Sequence, residues 1–192
     1  EKFGSVTLTD QNYPNRLHQK FFPKVQYRNR ISLIQDISRQ GLKGYGAELG
    51  VAKGSFSRAI LSNSKFKRVF SIDAWESGTR YHRRRSVAVK ALNKYSLRSC
   101  VIWGFFSNAK DLFGDHTLDF VYIDGFASDG ELEGQTFEEF YPKVRSGGVF
   151  GGHDYDKRFP LVQEAVQRFV ERHGLQIHII PGAGTTWDCC DS

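Results

Sequence analysis

Ionisable side chains follow a short apolar stretch in the segment GGVFGGHDYD, residues 147–156. A glycine pair, the apolar residues and a second glycine pair lead into His153 and Asp154. A strand that simply ends at the surface would explain a polar turn at this place. Open α/β sheets, however, keep their chemistry at the carboxyl ends of their strands. The segment therefore predicts either a functional site or the polar end of a strand.

A glycine loop follows an earlier apolar stretch, in AELGVAKGSFSRAIL at residues 47–61. Gly50 and Gly54 flank a tight loop, and a helix begins near Ser55. Glycines let the backbone turn sharply and approach a ligand, with the helix N-terminus pointing at it. The dinucleotide fingerprint needs three glycines, and Glu48 stands where the first would be. Because a carboxylate would repel a pyrophosphate, the loop argues against NAD or FAD and favours a ligand with a positive charge.

A second acid, Asp73, ends the next apolar stretch and is followed by Ala74 and Trp75. A carboxylate about 20 residues beyond such a loop can accept both hydroxyls of a ribose. An aromatic ring beside it suits an adenine face. A helix cap or a surface acid is the alternative for Asp73 alone. The loop and the acid together predict a nucleoside-binding site.

Alternating apolar stretches and helical patterns indicate the elements that position these residues. Strands are expected at 45–49, 68–73, 100–103, 118–123 and 148–151. Helices are expected at 29–41, 54–63, 80–95, 107–113, 131–143 and 159–173. This alternation is typical of a doubly wound α/β fold with a parallel sheet. Residues 175–190 leave no room for a helix, so we expect a hairpin that places one antiparallel strand in the sheet.

Composition limits the classes of protein to consider. The chain has 192 residues with 40% hydrophobic and 25% charged content, which suits one globular domain. No apolar run approaches the ~20 residues of a membrane span, so no membrane partner is expected. Three cysteines form neither a disulfide framework nor a zinc pattern, which favours a reduced, cytoplasmic setting. The chain begins at Glu1 and has no methionine, so we expect a trimmed N-terminus.

The motifs AELGVAKGSFS, FSIDAW, LDFVYIDG and VRSGGVFGGHDYD resemble the successive motifs of class I S-adenosylmethionine-dependent methyltransferases. The last two are most similar to the small-molecule O-methyltransferase branch whose fifth strand ends in Gly-Gly-His-Asp-Tyr. The resemblance covers about residues 44–190. It implies a Rossmann-like sheet of seven strands in the order 3-2-1-4-5-7-6, with strand 7 antiparallel and helices on both faces. Residues 1–43 would form an extension and first helix packed on a methyltransferase domain at 44–192.

The resemblance also implies roles for particular residues. Around the S-adenosylmethionine, the methionine end would be lined by Glu48, Gly50, Gly54 and Ser55. The ribose would be held by Asp73, and the adenine would be bordered by Ala74, Trp75 and the turn that ends in Ser107. At the end of strand four, Asp124 would face the sulfonium and the acceptor.

Three roles are open for Asp124, His153 and Asp154, which should converge because strands four and five are neighbours. They could bind a divalent cation, Mg²⁺ or Mn²⁺, that acidifies and orients a hydroxyl; the imidazole favours manganese over magnesium. His153 could instead act as a metal-free general base, or His153 and Asp154 could cap the following helix. Relatives often place a histidine after the strand-four acid, where this chain has Phe126, and this departure leaves the base undetermined.

The acceptor predicted by the resemblance is a hydroxyl of a small molecule such as a sugar or secondary metabolite. Phe21, Phe22, Tyr27, Phe126 and Phe159 are candidates for the pocket wall. A nucleic acid is the alternative acceptor, because residues 80–90 are rich in arginine. The RNA ribose methyltransferases of this fold carry a glutamate on strand seven, and TTWDCCD has none. A non-catalytic cofactor-binding module and a homo-oligomer are also compatible with the sequence.

Overall fold

A seven-stranded sheet in the order β3-β2-β1-β4-β5-β7-β6 organises the chain. The structure, a computed structural model, describes residues 28–76, 78–180 and 185–190. Its strands are β1 (Tyr45–Leu49), β2 (Arg68–Asp73), β3 (Ser99–Trp103), β4 (Leu118–Ile123), β5 (Val144–Gly152), β6 (Gln176–Ile180) and β7 (Thr186–Cys190). The first five strands are parallel, and β7 runs antiparallel to both β5 and β6. The predicted fold class, strand order and terminal hairpin are confirmed.

Helices cover both faces of the sheet. They are α1 (Arg30–Arg39), α2 (Ser55–Asn63), α3 (Thr79–Leu92), α4 (Phe106–Ala109), α5 (Gly130–Glu133), α6 (Gln135–Phe140) and α7 (Pro160–His173). One buried cluster joins α1, α2 and α3 to the sheet, and a second joins α4, α6 and α7 to the opposite face. No helix in the described ranges is long and apolar enough to cross a bilayer.

The first helix, α1, packs on the same core as the strands. Asn29 caps it by accepting hydrogen bonds from the N–H groups of Ile31 and Ser32. Leu33 and Ile34 lie at helical spacing and are buried with the aromatic side chains of β4. Residues 1–27 of the predicted extension, including Phe21, Phe22 and Tyr27, lie outside the described residues.

Two elements differ most from the sequence prediction, while the helix expected at 107–113 is the short helix α4 followed by a 3-10 turn at Lys110–Leu112. β5 begins at Val144, four residues earlier than expected, and a register shift against β4 accommodates its glycine-rich start. The helix expected at 131–143 is broken at Gly134, whose φ is +90°. Before the break, Glu131 and Leu132 are left-handed, with φ near +57° within the short turn α5. A hydrophobic period does not encode backbone handedness, so the pattern alone could not show this break.

Gly50 brings the end of β1 into contact with the end of β4. Its φ is +93°, and a Cβ at this position would overlap the carbonyl oxygen of Asp124. The ladder continues through both residues, because Gly50 N–H donates to the Ile72 carbonyl at 2.9 Å and Asp124 N–H donates to the Leu49 carbonyl at 2.7 Å. Only glycine fits this conformation at this distance from another backbone.

We predict that Gly50→Ala strongly lowers the free energy of unfolding. The left-handed backbone costs ~1–2 kcal/mol and the overlap ~1–3 kcal/mol, so the expected loss is about 2–5 kcal/mol. Denaturant unfolding monitored by circular dichroism measures it. Gly104→Ala is the matched control, because no atom lies within 4 Å of its Cβ position. Equal stability of the two variants would contradict the prediction.

Candidate active site

The carboxyl ends of β4 and β5 bring Asp124, His153 and Asp154 together. His153 Nδ1 lies 2.9 Å from Asp154 Oδ1 and 3.6 Å from Asp124 Oδ1. Each of the three residues offers one possible metal-ligand atom, and these three atoms lie within 4.8 Å of one another. The His153 backbone N–H donates to the Ile123 carbonyl at 2.9 Å, which fixes the loop to the adjacent strand. All three side chains are half-buried, so they are shielded yet reachable.

Asp124 also interacts with a cation from α1. Burial raises the pKa of the Asp124 carboxyl, while His153 opposes the shift and the Asp154 carboxylate adds to it. Arg30 Nη1 is 3.8 Å from Asp124 Oδ2, and its guanidinium stacks over the Phe56 ring at 4.3 Å. Asp124 therefore belongs both to the group it forms with His153 and Asp154, called the cluster at β5 below, and to a cavity beside α1.

That cavity has a volume of about 250 Å³ and lies over the glycine loop. Its acidic lining residues are Glu48 and Asp124. Its basic lining residues are Arg30, Lys53 and Arg84. The remaining lining residues are Gly50, Val51, Ala52, Ser55 and Phe56. The cavity thus joins residues from the ends of β1 and β4 to the starts of α1 and α2.

Glu48 is a buried carboxyl group in this lining, with 1% of its surface exposed. The Ser57 hydroxyl donates to its Oε2, and the Ser71 hydroxyl donates to Ser57 at 2.8 Å. Burial raises the pKa of Glu48 to about 8, against the lowering effects of Ser57 and Arg30. A cationic group entering the cavity would favour the ionised form.

Asp73, at the end of β2, holds the glycine loop. Its Oδ2 accepts from the N–H groups of Val51 and Ala52 at 2.9 and 2.8 Å, and its Oδ1 accepts from the Trp75 N–H at 2.8 Å. A carboxylate offers about four acceptor sites, so three backbone bonds leave capacity for one more donor. Asp73 does not line the cavity itself.

The exposed aromatic ring near Asp73 is not the one singled out in the sequence. Trp75 is 2% exposed and its indole N–H donates to the Ala52 carbonyl at 2.8 Å, inside the core. Trp103, paired with Asp73 across the β2–β3 ladder, is 63% exposed. Its indole N–H donates to the Ala74 carbonyl at 2.6 Å. The exposed aromatic side chain at this edge is therefore Trp103, and the Arg85 guanidinium lies over its ring at 3.9 Å.

The other predicted residues lie around these groups. Gly54 precedes α2 with a φ of +79°, and its Cβ position is 3.2 Å from the Ala88 backbone of α3. Ser107 is exposed on α4. Asp156 pairs with Arg158, and hydrogen bonds from Arg158 lower the pKa of the Asp156 carboxyl to about 2.

Glu131 is a buried acid that the sequence pattern did not indicate. Its carboxylate accepts from the N–H groups of Gly125 and Phe126 at 3.2 and 2.9 Å, directly after Asp124. Burial raises its pKa to about 7, against these two bonds. The left-handed turn α5 carries Glu131 back to this loop. Neither its handedness nor the contact of Arg30 with Phe56 has a local sequence signal.

Comparison with known proteins decides the family. A family model described as a methyltransferase domain matches residues 47–155. The chain belongs to that family. This confirms the resemblance and the predicted enzyme class, a methyltransferase dependent on S-adenosylmethionine. No curated protein sequence shows significant similarity to the chain.

Solved structures share the fold of this methyltransferase domain. The O-methyltransferase from Bacillus cereus in complex with SAH is 17% identical, covers 84% of this chain and 80% of its own, and gives a TM-score of 0.62. The tomaymycin-synthesis O-methyltransferase TomG from Streptomyces achromogenes is 16% identical over 85% and 79%, with a TM-score of 0.63. The SAH-bound Podospora anserina methyltransferase PaMTH1 is 12% identical over 85% and 78%, with a TM-score of 0.64. At sequence identities this low, the structural similarity establishes the fold alone.

We predict that Glu48 makes the stability of the methyltransferase domain depend on pH. Its pKa of about 8 in the folded chain exceeds the unfolded value of ~4.3. The stability that protonated Glu48 contributes is therefore fully present below pH ~4. It is lost as pH rises towards the folded pKa, at up to ~1.4 kcal/mol of unfolding free energy per pH unit. Glu48→Gln keeps the acceptor for Ser57 but cannot ionise.

Denaturant unfolding at intervals from pH 5 to 8 tests this expectation. The free energy of unfolding of Glu48→Gln, relative to the wild type, should rise steadily over that interval. Glu76→Gln, at an exposed position, controls for the loss of one surface carboxylate. A constant difference between Glu48→Gln and the wild type would show that Glu48 ionises normally.

Proposed function

We propose that this methyltransferase domain transfers a methyl group from S-adenosylmethionine to a hydroxyl of a small organic molecule. The observation that supports it most strongly is the position of Asp124. This residue lines the cavity over the glycine loop and also lies 3.6 Å from His153 in the cluster at β5. A methyl donor in the cavity and an acceptor at the cluster would meet there.

The residues around the cavity fit the methyl donor. Gly50 lets the loop turn beneath a ligand, and the buried Glu48 carboxyl suits the ammonium of its amino-acid end. Asp73 has capacity for one further hydrogen bond, so we assign it one ribose hydroxyl and not two. We assign the adenine border to Ala74, Ser107 and the exposed ring of Trp103. Trp75 would support the loop from the interior.

The cluster at β5 acts on the acceptor. When bound, S-adenosylmethionine would supply an electrophilic methyl group. Its transfer to the acceptor oxygen would form an O–C bond and break the C–S bond, so that a methyl ether and a neutral thioether result. Asp124 and Asp154 would orient the hydroxyl, and His153 would receive its proton. Positioning and proton removal each lower the barrier.

A divalent cation fits the same cluster. Two carboxylate oxygens and one imidazole nitrogen within 4.8 Å match the donor set of manganese or a similar ion. Asp124, His153 and Asp154 would hold it, and it would lower the pKa of a bound hydroxyl. The proton would then leave without help from His153.

The surroundings favour a small organic acceptor. Phe126, Tyr155 and Phe159 are half-buried and pack against the core next to the cluster. A nucleic acid has one supporting feature, the exposed side chains of Arg80, His82 and Arg83 on α3. On β7, however, the acid is Asp188, which is buried and pairs with His178.

We predict that S-adenosylhomocysteine binding releases a proton from Glu48. Its carboxyl must ionise to pair with the ligand ammonium, so affinity should rise with pH by up to ~10-fold per unit below about 8. Calorimetry at pH 7 in buffers of different ionisation enthalpy measures the released proton. Glu48→Gln should bind more weakly and release none of it. Equal wild-type affinity at pH 6 and pH 8 would refute this role.

We predict that a chelator separates the two roles of the cluster. If a metal is used, chelation should abolish methyl transfer, manganese or magnesium should restore it, and Asp154→Asn should be inactive. If His153 is the base, activity should survive the chelator and fall by about 10²–10⁴ in His153→Ala. Asp156→Asn, outside the cluster, is the control. Chelator resistance with full activity in both cluster variants would reject both roles.

A further inference from the structure

Three cations from separate elements line the cavity over the glycine loop. Arg30 begins α1, Lys53 lies in the glycine loop and Arg84 lies on α3. The assigned roles leave all three without a function. The donor has an amino-acid end that carries an ammonium and a carboxylate, and only the ammonium has a partner so far, in Glu48.

Arg30 is the cation whose position is best defined. Its guanidinium stacks on the Phe56 ring at 4.3 Å and lies 3.8 Å from Asp124 Oδ2, with its side chain 33% exposed. Its positive charge opposes the rise that burial causes in the pKa of both Glu48 and Asp124. Stacking fixes the plane of the guanidinium, whose edge also interacts with Asp124 and the Tyr122 hydroxyl. Such an edge carries the N–H groups that can donate paired hydrogen bonds to a carboxylate.

Arg84 reaches the cavity from a different helix, α3. It is half-buried on α3 and lines the cavity, whereas its neighbour Arg83 is exposed and does not. Gly54 packs against the Ala88 backbone, so the glycine loop and α3 lie close together. The two arginines therefore reach the cavity from two different helices, α1 and α3.

We propose that Arg30, assisted by Arg84, binds the carboxylate of the donor's amino-acid end. This inference rests on the proposed function and extends it to the selectivity of the site among adenosyl compounds. Glu48 would bind the ammonium and Arg30 would bind the carboxylate. The cavity would thus recognise a zwitterion through two oppositely charged side chains. A compound that lacks the carboxylate gains nothing from Arg30.

Titration calorimetry on the whole chain at pH 8 tests the assignment with two probes. S-adenosylhomocysteine carries both charges, and decarboxylated S-adenosylmethionine keeps the ammonium but lacks the carboxylate. Arg30→Gln should weaken binding of the first about 10–100-fold and leave binding of the second unchanged within about twofold. Arg84→Gln should show the same selectivity with a smaller loss. Arg30→Lys should fall between, because it keeps the charge but not the paired donors.

The controls separate this inference from the proposed function. Arg83→Gln removes a neighbouring charge outside the cavity and should bind both probes as the wild type does. An equal loss for both probes in Arg30→Gln would mean that Arg30 only supports the loop or Asp124, and would overturn the assignment. So would unchanged binding of S-adenosylhomocysteine with a raised KM for the acceptor. If the wild type binds neither probe, the proposed function itself fails and the assignment fails with it.

Discussion

The close approach of the Gly50 backbone to the Asp124 carbonyl is the constraint on which the site depends. The parallel ladder extends one residue past the ends of three strands, through the N–H groups of Gly50, Asp124 and His153. Each loop is thereby held by the strand beside it. The glycine loop, Asp124 and the residues His153 and Asp154 after β5 consequently lie along one continuous edge of the sheet. A side chain at Gly50 would separate the first two and displace the third.

The same edge concentrates acids that repel one another. Glu48, Asp124 and Glu131 are all shifted to higher pKa by burial, so folding alone keeps part of this charge protonated. Arg30 and His153 compensate for the rest. A ligand that brings a positive charge relieves the repulsion between these acids, and the cations Arg30, Lys53 and Arg84 line the same cavity. This mixed lining would suit a ligand that carries both a positive and a negative charge.

Asp73, Asp124 and Asp154 could be predicted because each one ends or closely follows an apolar strand, whereas Glu131 has no such signal. β1 and β2 were predicted with their observed limits, and strand order then brought Asp124, His153 and Asp154 to one edge. Residues that reach the site through tertiary contacts were not found in this way. Arg30 starts a helix that the sequence marks only as amphipathic, and Trp103 looks like the last residue of a strand. Their positions depend on stacking and on ladder register, which no local pattern contains.

Asp124 links the two halves of the proposed reaction because it has two kinds of neighbour. Arg30 lies 3.8 Å from one of its oxygens, and His153 lies 3.6 Å from the other. A carboxylate that binds Arg30 would draw the guanidinium towards the donor, and a cation or proton at His153 would draw Asp124 towards the acceptor. Binding on either side thus changes the electrostatic environment of the same side chain.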